Sequence, residues 1–543
     1  MSRLHQRIIF GRTNTMKRSK HLLDIDIALL QSIVFYAVLA IMLLPHYQHQ
    51  ITPDGISYIS IAQKYVLRDY VNAINGYWGP LLSWLLLPFL LIGFEPLIAL
   101  KLLLLVIGVM TIIQSNLLIK RLQIKGLLQN VLLFLIAVIV IYWALTTTTP
   151  DLLFVSLSLA YINTLLDSSY IDSKYAGVLC GIFGSGLYLT KSYGLPFFVV
   201  SFLIVNLIFY CRTKNGHNKA RILSNSIYGI VVFALIGACW ISIISNKYGQ
   251  LTIGTAGSYN HAIVGPQSSG HPMPFMGLLD PPNNTAISVW EDPSYIKTEG
   301  WSIFDSISST RHQLTNILKN VCEIISTLNQ FSLLSLALLS MTVVYLLEKG
   351  KQIVTDNIFL LVVTMVVLFS GYAMLLVESR YIWLSNILTI IIGAKLLDLL
   401  FHKISLKQIS KVILSVIFVV SFSVVPLIEL CHFDIGKDIF NLYNKICYLN
   451  INGRVASNGE WRKSSILSFY NGWQYYGEKG RLSESELEAE FEDKKINYFL
   501  VWKTFDEEIK FVEKYEEITD GKIDGLKIYK VHPVFAYLWY HAD

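Results

Sequence analysis

Long apolar segments separated by short polar connectors make up most of the chain as far as about residue 431. A helix needs about 17–25 mainly apolar residues to cross the hydrocarbon core of a bilayer. The pattern predicts about eleven such spans, near residues 27–45, 97–119, 127–147, 152–167, 176–190, 195–211, 223–245, 325–347, 357–377, 383–401 and 411–431. The apolar segment 80–94 has only about 15 residues, which is typical of an interfacial or re-entrant helix.

The pattern changes after residue 432, where charged residues become frequent. Short β-type segments ("RVASN", "NYFLVW" and "LKIYKV") alternate there with helix-type segments ("ESELEAEFEDKKI" and "DEEIKFVEKYEEI"). Such alternation predicts a small α/β domain. We therefore expect a mainly α, polytopic membrane domain at 1–431, with outer loops 46–96 and 246–324, followed by an α/β domain at 432–543.

Composition and charge support a membrane protein and predict its orientation. Hydrophobic residues make up 53% of the chain and charged residues only 15%, whereas soluble domains carry about 25% charged residues. If 80–94 does not cross, the basic connectors all fall on one side, which is then cytoplasmic. This predicts a cytoplasmic N-terminus, an uncleaved first span and an extracytoplasmic C-terminal domain. The alternative is a helical pair at 80–119 with another span miscounted downstream.

Two acidic residues stand at the predicted outer ends of spans. Asp54 lies in "PDGISYIS" after the first span and precedes an amphipathic segment, and Asp151 follows Pro150 and opens another apolar segment. Asp is a favoured helix N-cap, so each carboxylate can simply cap a helix. A carboxylate at the membrane surface can also serve as a general base. Both interpretations are open from the residues alone.

Two basic residues have matching positions. Lys191 in "LTKSYGLPFF" and Arg380 in "ESRYIW" each lie at an outer end of a span. Either side chain can extend to the interface without a further role. A guanidinium at this depth also suits a phosphate group. A structural ion pair between Glu378 and Arg380 is the competing explanation.

The long outer loop 246–324 carries further candidates. His261 and His271 lack the spacing of a zinc site and are expected to bind substrate or loop backbone by hydrogen bonds. Glu291 and Asp292 are expected to be solvated loop acids, although they could face a polar substrate. Trp78, in the first outer loop, is expected to anchor at the membrane interface, although such rings also stack on sugars.

The order of several short motifs resembles a known class of enzymes. The motifs are "PDGISYISIAQ", "NGYWGPLLSWLLLPFL", "TPDLLFVSLSLAY", "LTKSYGLPFF" and "ESRYIW". In this order, and over roughly residues 25–400, they resemble the GT-C membrane glycosyltransferases. The branch includes protein O-mannosyltransferases and lipid A aminoarabinose transferases. The resemblance assigns the essential first-loop acid to Asp54 and a second acid to Asp151. Protein mannosyltransferases carry an Asp-Glu pair in the first loop, and Gly55 departs from that pattern.

The resemblance implies transfer of a sugar, with inversion, from a polyprenyl-phosphate donor to a lipid, glycan or protein acceptor on the extracytoplasmic face. Asp54 would be the base, Asp151 a second acid, and Arg380 and Lys191 the ligands of the donor phosphate. No cofactor, metal ligand or nucleic acid is assigned, and a divalent metal stays an alternative. The expected location is a bacterial inner or plasma membrane. Other functions left open are a flippase for a lipid-linked glycan and a glycan polymerase or ligase. The weaker candidates for substrate contact are Tyr58, Trp78, His261, His271, Glu378 and Tyr381.

Overall fold

The computed structural model describes residues 26–173, 175–268, 270–404, 407–449, 451–503 and 510–532. The basic N-terminal tail, with its predicted orientation, lies outside these residues. The first part of the structure is helical. Its helices are α1 (Ile27–Tyr47), α2 (Pro53–Val66), α3 (Tyr70–Ala73), α4 (Leu81–Leu91), α5 (Pro96–Arg121), α6 (Leu127–Thr146), α7 (Asp151–Leu165), α8 (Ala176–Thr190), α9 (Gly194–Arg212), α10 (Gly216–Tyr248), α11 (Ala256–Ile263), α12 (Ile307–Phe331), α13 (Leu334–Lys349), α14 (Asn357–Met374), α15 (Trp383–Lys403) and α16 (Gln408–Glu429).

Eight helices in the described part of the chain are long and apolar enough to cross a membrane, or nine if one bent pair counts as a span. The eight are α1, α5, α6, α9, α10, α14, α15 with the turn before it, and α16. Two further predicted spans coincide with the shorter apolar helices α7 and α8. The segment predicted to be interfacial or re-entrant forms α4, which has only 11 residues.

The predicted span 325–347 is not one straight helix. It is divided between α12 and α13, which meet at an angle of 112°. Ser332 lies at the break in an extended conformation, and its hydroxyl accepts a hydrogen bond from the backbone N–H of Leu334. The same hydroxyl is 2.7 Å from that of Ser421 in α16. A polar residue inside the apolar segment therefore ends one helix and starts the next.

Small residues allow the central helices to approach closely. A Cβ at Gly177 of α8 would lie 2.1 Å from the backbone oxygen of Asn225 in α10. A Cβ at Gly229 of α10 would lie 2.5 Å from the Phe202 ring of α9. Close backbone approach of this kind is typical of helix contacts inside membranes.

The C-terminal part is an α/β domain, as the sequence predicts. Its elements are α17 (Lys437–Ile446), β1 (Arg454–Ser457), α18 (Trp461–Asn471), β2 (Gln474–Glu478), α19 (Glu484–Lys494), β3 (Tyr498–Trp502), β4 (Glu516–Glu517) and β5 (Leu526–Lys530). The sheet has the order β2-β1-β3-β5-β4; β1 is parallel to β2 and β3, and β5 is antiparallel to β3 and β4.

The three predicted strands correspond to β1, β3 and β5, and the helix predicted in "ESELEAEFEDKKI" is α19, whereas β2 was not predicted. The second predicted helix, near 506–518, lies partly outside the described residues. Its described part holds a 3₁₀ turn and β4, because β4 pairs with β5.

The outer loop 246–324 links this domain to the helical part. The backbone N–H of Leu279 donates to the carbonyl of Tyr476, and that of Tyr475 donates to the carbonyl of Ile287. On the membrane side, the Tyr470 hydroxyl of α18 donates to the carbonyl of His49, just before α2. The loop and the domain together therefore cover the end of the helical bundle where α2 lies.

Candidate active site

Asp54 lies in the first turn of α2 but does not cap it. The helix is capped by Thr52, whose hydroxyl accepts a hydrogen bond from the N–H of Gly55. Of the two interpretations left open by the sequence, the N-cap is therefore wrong for Asp54. Its carboxylate instead faces two distant segments: Oδ2 is 2.7 Å from Nη1 of Arg380, and Oδ1 accepts a hydrogen bond of 2.9 Å from Nε1 of Trp290.

Asp151 is likewise the first residue of its helix rather than the cap. Pro150 occupies the cap position of α7, and no side chain of the described residues caps that end. The Asp151 carboxylate is buried and lies 2.5 Å from Nζ of Lys191. It also accepts a hydrogen bond from the Thr149 hydroxyl and lies 3.8 Å from Nε of Arg380. Both aspartates thus lie close to the same cation, Arg380.

Arg380 connects the acids of this cluster. It lies in the 3₁₀ turn Ser379–Ile382, directly before α15. Besides Asp54 and Asp151, it contacts Glu378, whose Oε2 is 2.7 Å from Nε of the guanidinium. The Glu378–Arg380 ion pair considered from the sequence is therefore present, together with the pairs to the two aspartates. A guanidinium has five N–H donors in a fixed plane, which allows it to bridge several carboxylates.

Lys191 and the neighbouring aromatic rings complete the cluster. Nζ of Lys191 lies 4.2 Å from the centre of the Tyr381 ring, a cation–π contact. The Tyr381 ring in turn stacks on Tyr372, with ring centres 4.7 Å apart. One side of the site is therefore charged and the other is aromatic.

These groups surround a cavity of about 250 Å³. Its charged wall holds both aspartates, Lys191 and Arg380, and an apolar wall is formed by the ends of α9 and α14. Of the weaker candidates, Tyr58, Trp78 and Tyr381 line it. Cavity residues that sequence reasoning did not select include Tyr77, Tyr193, Asn260, Tyr372 and Leu376.

The other predicted contacts lie next to this cavity, outside its lining. His261 stacks on Trp301, with ring centres 4.4 Å apart. His271 lies between the rings of Trp290 and Trp461, at 4.6 and 5.0 Å. Burial, together with the nearby Arg462, lowers the pKa of His271 to about 4, so this imidazole is neutral at pH 7.

Trp78 packs inside the protein and is not a simple interface anchor. Its ring centre is 5.3 Å from that of Tyr58, and its Nε1 donates to the carbonyl of Trp290.

Trp290 is not among the predicted site residues, and the two acids after it lie in a different environment from the predicted one. Glu291 is only 3% exposed and forms an ion pair with Lys64 of α2. Asp292 is 2% exposed, accepts a hydrogen bond from Tyr248, and has a pKa raised by burial. The expectation of solvated loop acids is therefore wrong. One signal was available in the sequence. Polar residues recur on one face of α2, and a buried polar face needs partners that can form hydrogen bonds or ion pairs with it.

The described residues contain no group of three or more His, Cys, Asp or Glu that could hold a metal ion. In the cavity the carboxylates are paired with Arg380 and Lys191. Both aspartates of the cavity therefore have basic side chains as partners.

Comparisons with known proteins identify the fold. No protein-family model matches the chain, and a search of curated proteins found no match either. Among solved structures, ArnT from Cupriavidus metallidurans bound to undecaprenyl phosphate is similar, with 11% identity and a TM-score of 0.54 over 92% of this chain and 98% of that chain. The apo state of ArnT gives 12% identity and a TM-score of 0.53 over the same shares.

The archaeal oligosaccharyltransferase AglB from Archaeoglobus fulgidus, in complex with an inhibitory peptide and a dolichol-phosphate, has 10% identity and a TM-score of 0.49 over 87% of this chain and 69% of that chain. The similarity to ArnT confirms the predicted fold: this chain has a polytopic GT-C-like fold.

Proposed function

We propose that this protein is an inverting membrane glycosyltransferase that uses a polyprenyl-phosphate-linked sugar as donor. The observation that carries the proposal is the convergence of Asp54, Asp151, Lys191 and Arg380, from four separate segments, on one cavity with an apolar wall. A donor of this class has the same division, with an anionic phosphate next to an isoprenoid chain. The fold is shared with ArnT, whose structure holds undecaprenyl phosphate.

The proposed reaction is a single displacement at the anomeric carbon of the sugar. A hydroxyl or amine of the acceptor forms a bond to that carbon while the bond from the carbon to the phosphate oxygen breaks. The proton of the acceptor passes to the carboxylate of Asp54, and the electron pair stays on the departing polyprenyl phosphate. General-base catalysis of this type contributes about 10²–10⁴-fold.

The two cations suit the leaving group. The phosphate gains negative charge as the bond to the sugar breaks, and fixed cations stabilise charge that develops in a transition state. Arg380 and Lys191 lie on the charged wall of the cavity, where such a phosphate would face both. Asp151 keeps Lys191 in place through their contact of 2.5 Å. Asp151 is therefore assigned to shaping the site, and Asp54 to the proton transfer.

The acceptor is proposed to reach Asp54 from the extracytoplasmic side. The cavity lies at the end of the helical bundle covered by the outer loop and the C-terminal domain, which the charge pattern assigns to the outside. The apolar wall at α9 and α14 would receive the start of the isoprenoid chain from the membrane.

The experiment compares lipid-linked sugars in three kinds of cells: cells with the wild-type protein, cells without it, and cells with Asp54→Asn. A polyprenyl-phosphate sugar should accumulate equally in the last two, because the amide cannot accept the proton. Asp172→Asn is the matched control, since this exposed acid pairs with Arg221 at the opposite end of the bundle. A normal pool of lipid-linked sugar in Asp54→Asn cells would overturn the proposal.

A further inference from the structure

One face of α2 carries four polar side chains in register. Asp54, Ser57, Ser60 and Lys64 are spaced three, three and four residues apart, which places them on one side of a helix. All four side chains form hydrogen bonds or ion pairs with residues 290–291 of the outer loop. This face of α2 is therefore paired with a single short loop segment.

Trp290 makes three contacts through this segment. Its indole Nε1 donates to Oδ1 of Asp54 at 2.9 Å. Its carbonyl accepts hydrogen bonds of 3.1 Å from the Ser57 hydroxyl and from Nε1 of Trp78. Trp290 is therefore held by hydrogen bonds through both its backbone carbonyl and its indole ring.

The ion pair between Lys64 and Glu291 holds the segment in place. The two side chains are 4% and 3% exposed, and the Ser60 hydroxyl donates to the second carboxylate oxygen of Glu291 at 2.6 Å. Asn75 donates to the Glu291 carbonyl at 2.7 Å. Separating the two charges would leave each of them unpaired in the protein interior, which is unfavourable, so the pair keeps the loop segment in one position.

The two oxygens of Asp54 have unlike partners. Oδ2 bonds to the cation Arg380, and Oδ1 bonds to the neutral indole of Trp290. The Arg380 contact joins two full charges, whereas the Trp290 contact joins a full charge to a neutral N–H donor and is the weaker of the two. Oδ1 is therefore the oxygen that an incoming hydroxyl can take over more easily.

We infer that Trp290, held by the Lys64–Glu291 pair, is a positioning residue for Asp54, and that its indole marks the oxygen that receives the acceptor proton. This inference rests on the proposed function for the role of Asp54. It divides the site into a donor side at Arg380 and an acceptor side at Trp290. The outer loop then takes part in the reaction through one fixed indole.

The first test asks whether the Lys64–Glu291 ion pair holds the loop segment around Trp290, and it does not depend on any reaction. Hydrogen–deuterium exchange of the peptide 286–296 is compared in the full-length protein for wild type, Lys64→Met and Glu291→Gln. Exchange should rise in both variants, and the swapped double variant Lys64→Glu/Glu291→Lys should return it towards the wild-type level. Lys297→Met and Glu299→Gln are matched controls, because these charges lie exposed in the same loop. Unchanged exchange in both single variants would mean that the Lys64–Glu291 pair does not hold this segment in place.

The second test measures the positioning role through the separate effects on kcat and KM of transfer. The donor is the lipid extract of cells that lack this protein, and the product followed is free polyprenyl phosphate. Trp290→Phe keeps a ring but loses the N–H, so Asp54 loses one of the hydrogen bonds that orient its carboxylate. The value of kcat should fall by about tenfold, the worth of one hydrogen bond to a charged group, while KM for the donor stays at the wild-type value because Arg380 and Lys191 are unchanged. Trp290→His, which restores a ring N–H, should recover part of kcat.

The outcomes separate the two proposals. A wild-type kcat for Trp290→Phe overturns the positioning role. Full transfer by Asp54→Asn instead overturns the proposed function, and the exchange results of the first test remain interpretable. A fall in kcat that Trp290→His does not relieve also counts against the positioning role, because it reports only a disturbed loop.

Discussion

The guanidinium of Arg380 lies 2.7 Å from the carboxylate of Asp54, although the two residues are far apart in the sequence. The same guanidinium also contacts Glu378 at 2.7 Å and approaches Asp151 at 3.8 Å. Arg380 therefore joins the two aspartates of the charged wall to Glu378, which lies outside the cavity lining. In the proposed function, a phosphate entering the site would exchange with some of these contacts, so Arg380 would contact both the base and the donor.

Replacing Arg380 should therefore affect transfer more than folding. We expect Arg380→Gln to lower transfer by about 10²–10³-fold, the usual loss when one group that stabilises developing charge is removed. Arg380→Lys should remain strongly impaired, because an ammonium is a point charge and lacks the planar fork. Transfer from a lipid-linked sugar extract in membranes measures both.

Arg221→Lys is the matched control, since Arg221 forms an exposed pair with Asp172 away from the cavity. It should keep wild-type transfer. Full recovery of transfer by Arg380→Lys would contradict the bridging role of the guanidinium.

The buried pair Asp151–Lys191 gives an expectation about stability. Asp151→Asn leaves the Lys191 ammonium unpaired, and we expect a loss of about 3–5 kcal/mol, as for other broken buried pairs. The double variant Asp151→Asn/Lys191→Met removes both charges and should regain most of the stability. It should not regain transfer, because a phosphate ligand is missing. Thermal unfolding in detergent and the membrane transfer assay measure the two effects separately.

If the double variant is as active as the wild type, Lys191 is not a phosphate ligand. If it is as unstable as Asp151→Asn, the cost does not come from an unpaired charge.

The sequence was sufficient to select the four charged residues of the cavity, for a physical reason. Charged side chains next to apolar segments are costly, so Asp54, Asp151, Lys191 and Arg380 stood out at span ends on one predicted face. The N-cap of α2 was not predictable in the same way, because Thr52 and Asp54 are both favoured capping residues. Thr52 takes this position in a hydrogen bond with Thr148, which is distant in the sequence.

The role of the outer loop could not be predicted, since loop acids are usually solvated. The burial of Glu291 depends on Lys64, a residue far away in the chain. The break at Ser332 was also missed, because hydropathy averages over a single serine inside an apolar segment. The missed strand β2 contains Gly477, which weakens a strand signal.

His271 gives an expectation about pH. Its pKa in the folded protein is about 4, lowered by burial and by Arg462, whereas an unfolded His has a pKa of about 6.5. The unfolded state therefore binds more protons between these values, and stability is lost as the pH falls from about 6.5 to 4. We expect this contribution to be about 3 kcal/mol, since the two pKa values differ by about 2.5 and each unit is worth about 1.4 kcal/mol.

The variant His271→Phe keeps a ring between Trp290 and Trp461 and removes the titrating group. Its unfolding temperature should depend less on pH over that interval than the wild-type value does. His402→Phe is the control, because the His402 side chain is 80% exposed. An unchanged pH dependence in His271→Phe would contradict this assignment.

Native cysteines can test the orientation of the chain. Cys211 is exposed in the last turn of α9, and Cys431 and Cys447 are exposed after α16 and α17. With the predicted topology, an impermeant thiol reagent added to intact cells should label single-cysteine variants at 431 or 447. A variant keeping only Cys211 should react only after the membrane is opened. The reverse pattern would invert the topology and place the cavity on the cytoplasmic face.

Gly55 gives the last expectation, at the position where protein mannosyltransferases carry their second acid. A Cβ added to Gly55 would lie 2.2 Å from Oγ1 of Thr148 and 2.7 Å from its Cβ. Thr148 is fully buried, and its hydroxyl bonds to both the backbone N–H and the hydroxyl of Thr52, so it cannot move without loosening the cap of α2.

We expect Gly55→Ala to lower the stability by about 1–3 kcal/mol, the usual cost of overpacking, and to reduce transfer because α2 carries Asp54. Gly55→Glu should be worse. Gly216→Ala is the matched control, since a Cβ at Gly216 meets no atom within 4 Å. Thermal unfolding and transfer should be normal for Gly216→Ala and impaired for both Gly55 variants. Wild-type behaviour of Gly55→Glu would instead mean that α2 can shift to admit a second acid, and the departure from the Asp-Glu pair would then carry no information about the acceptor.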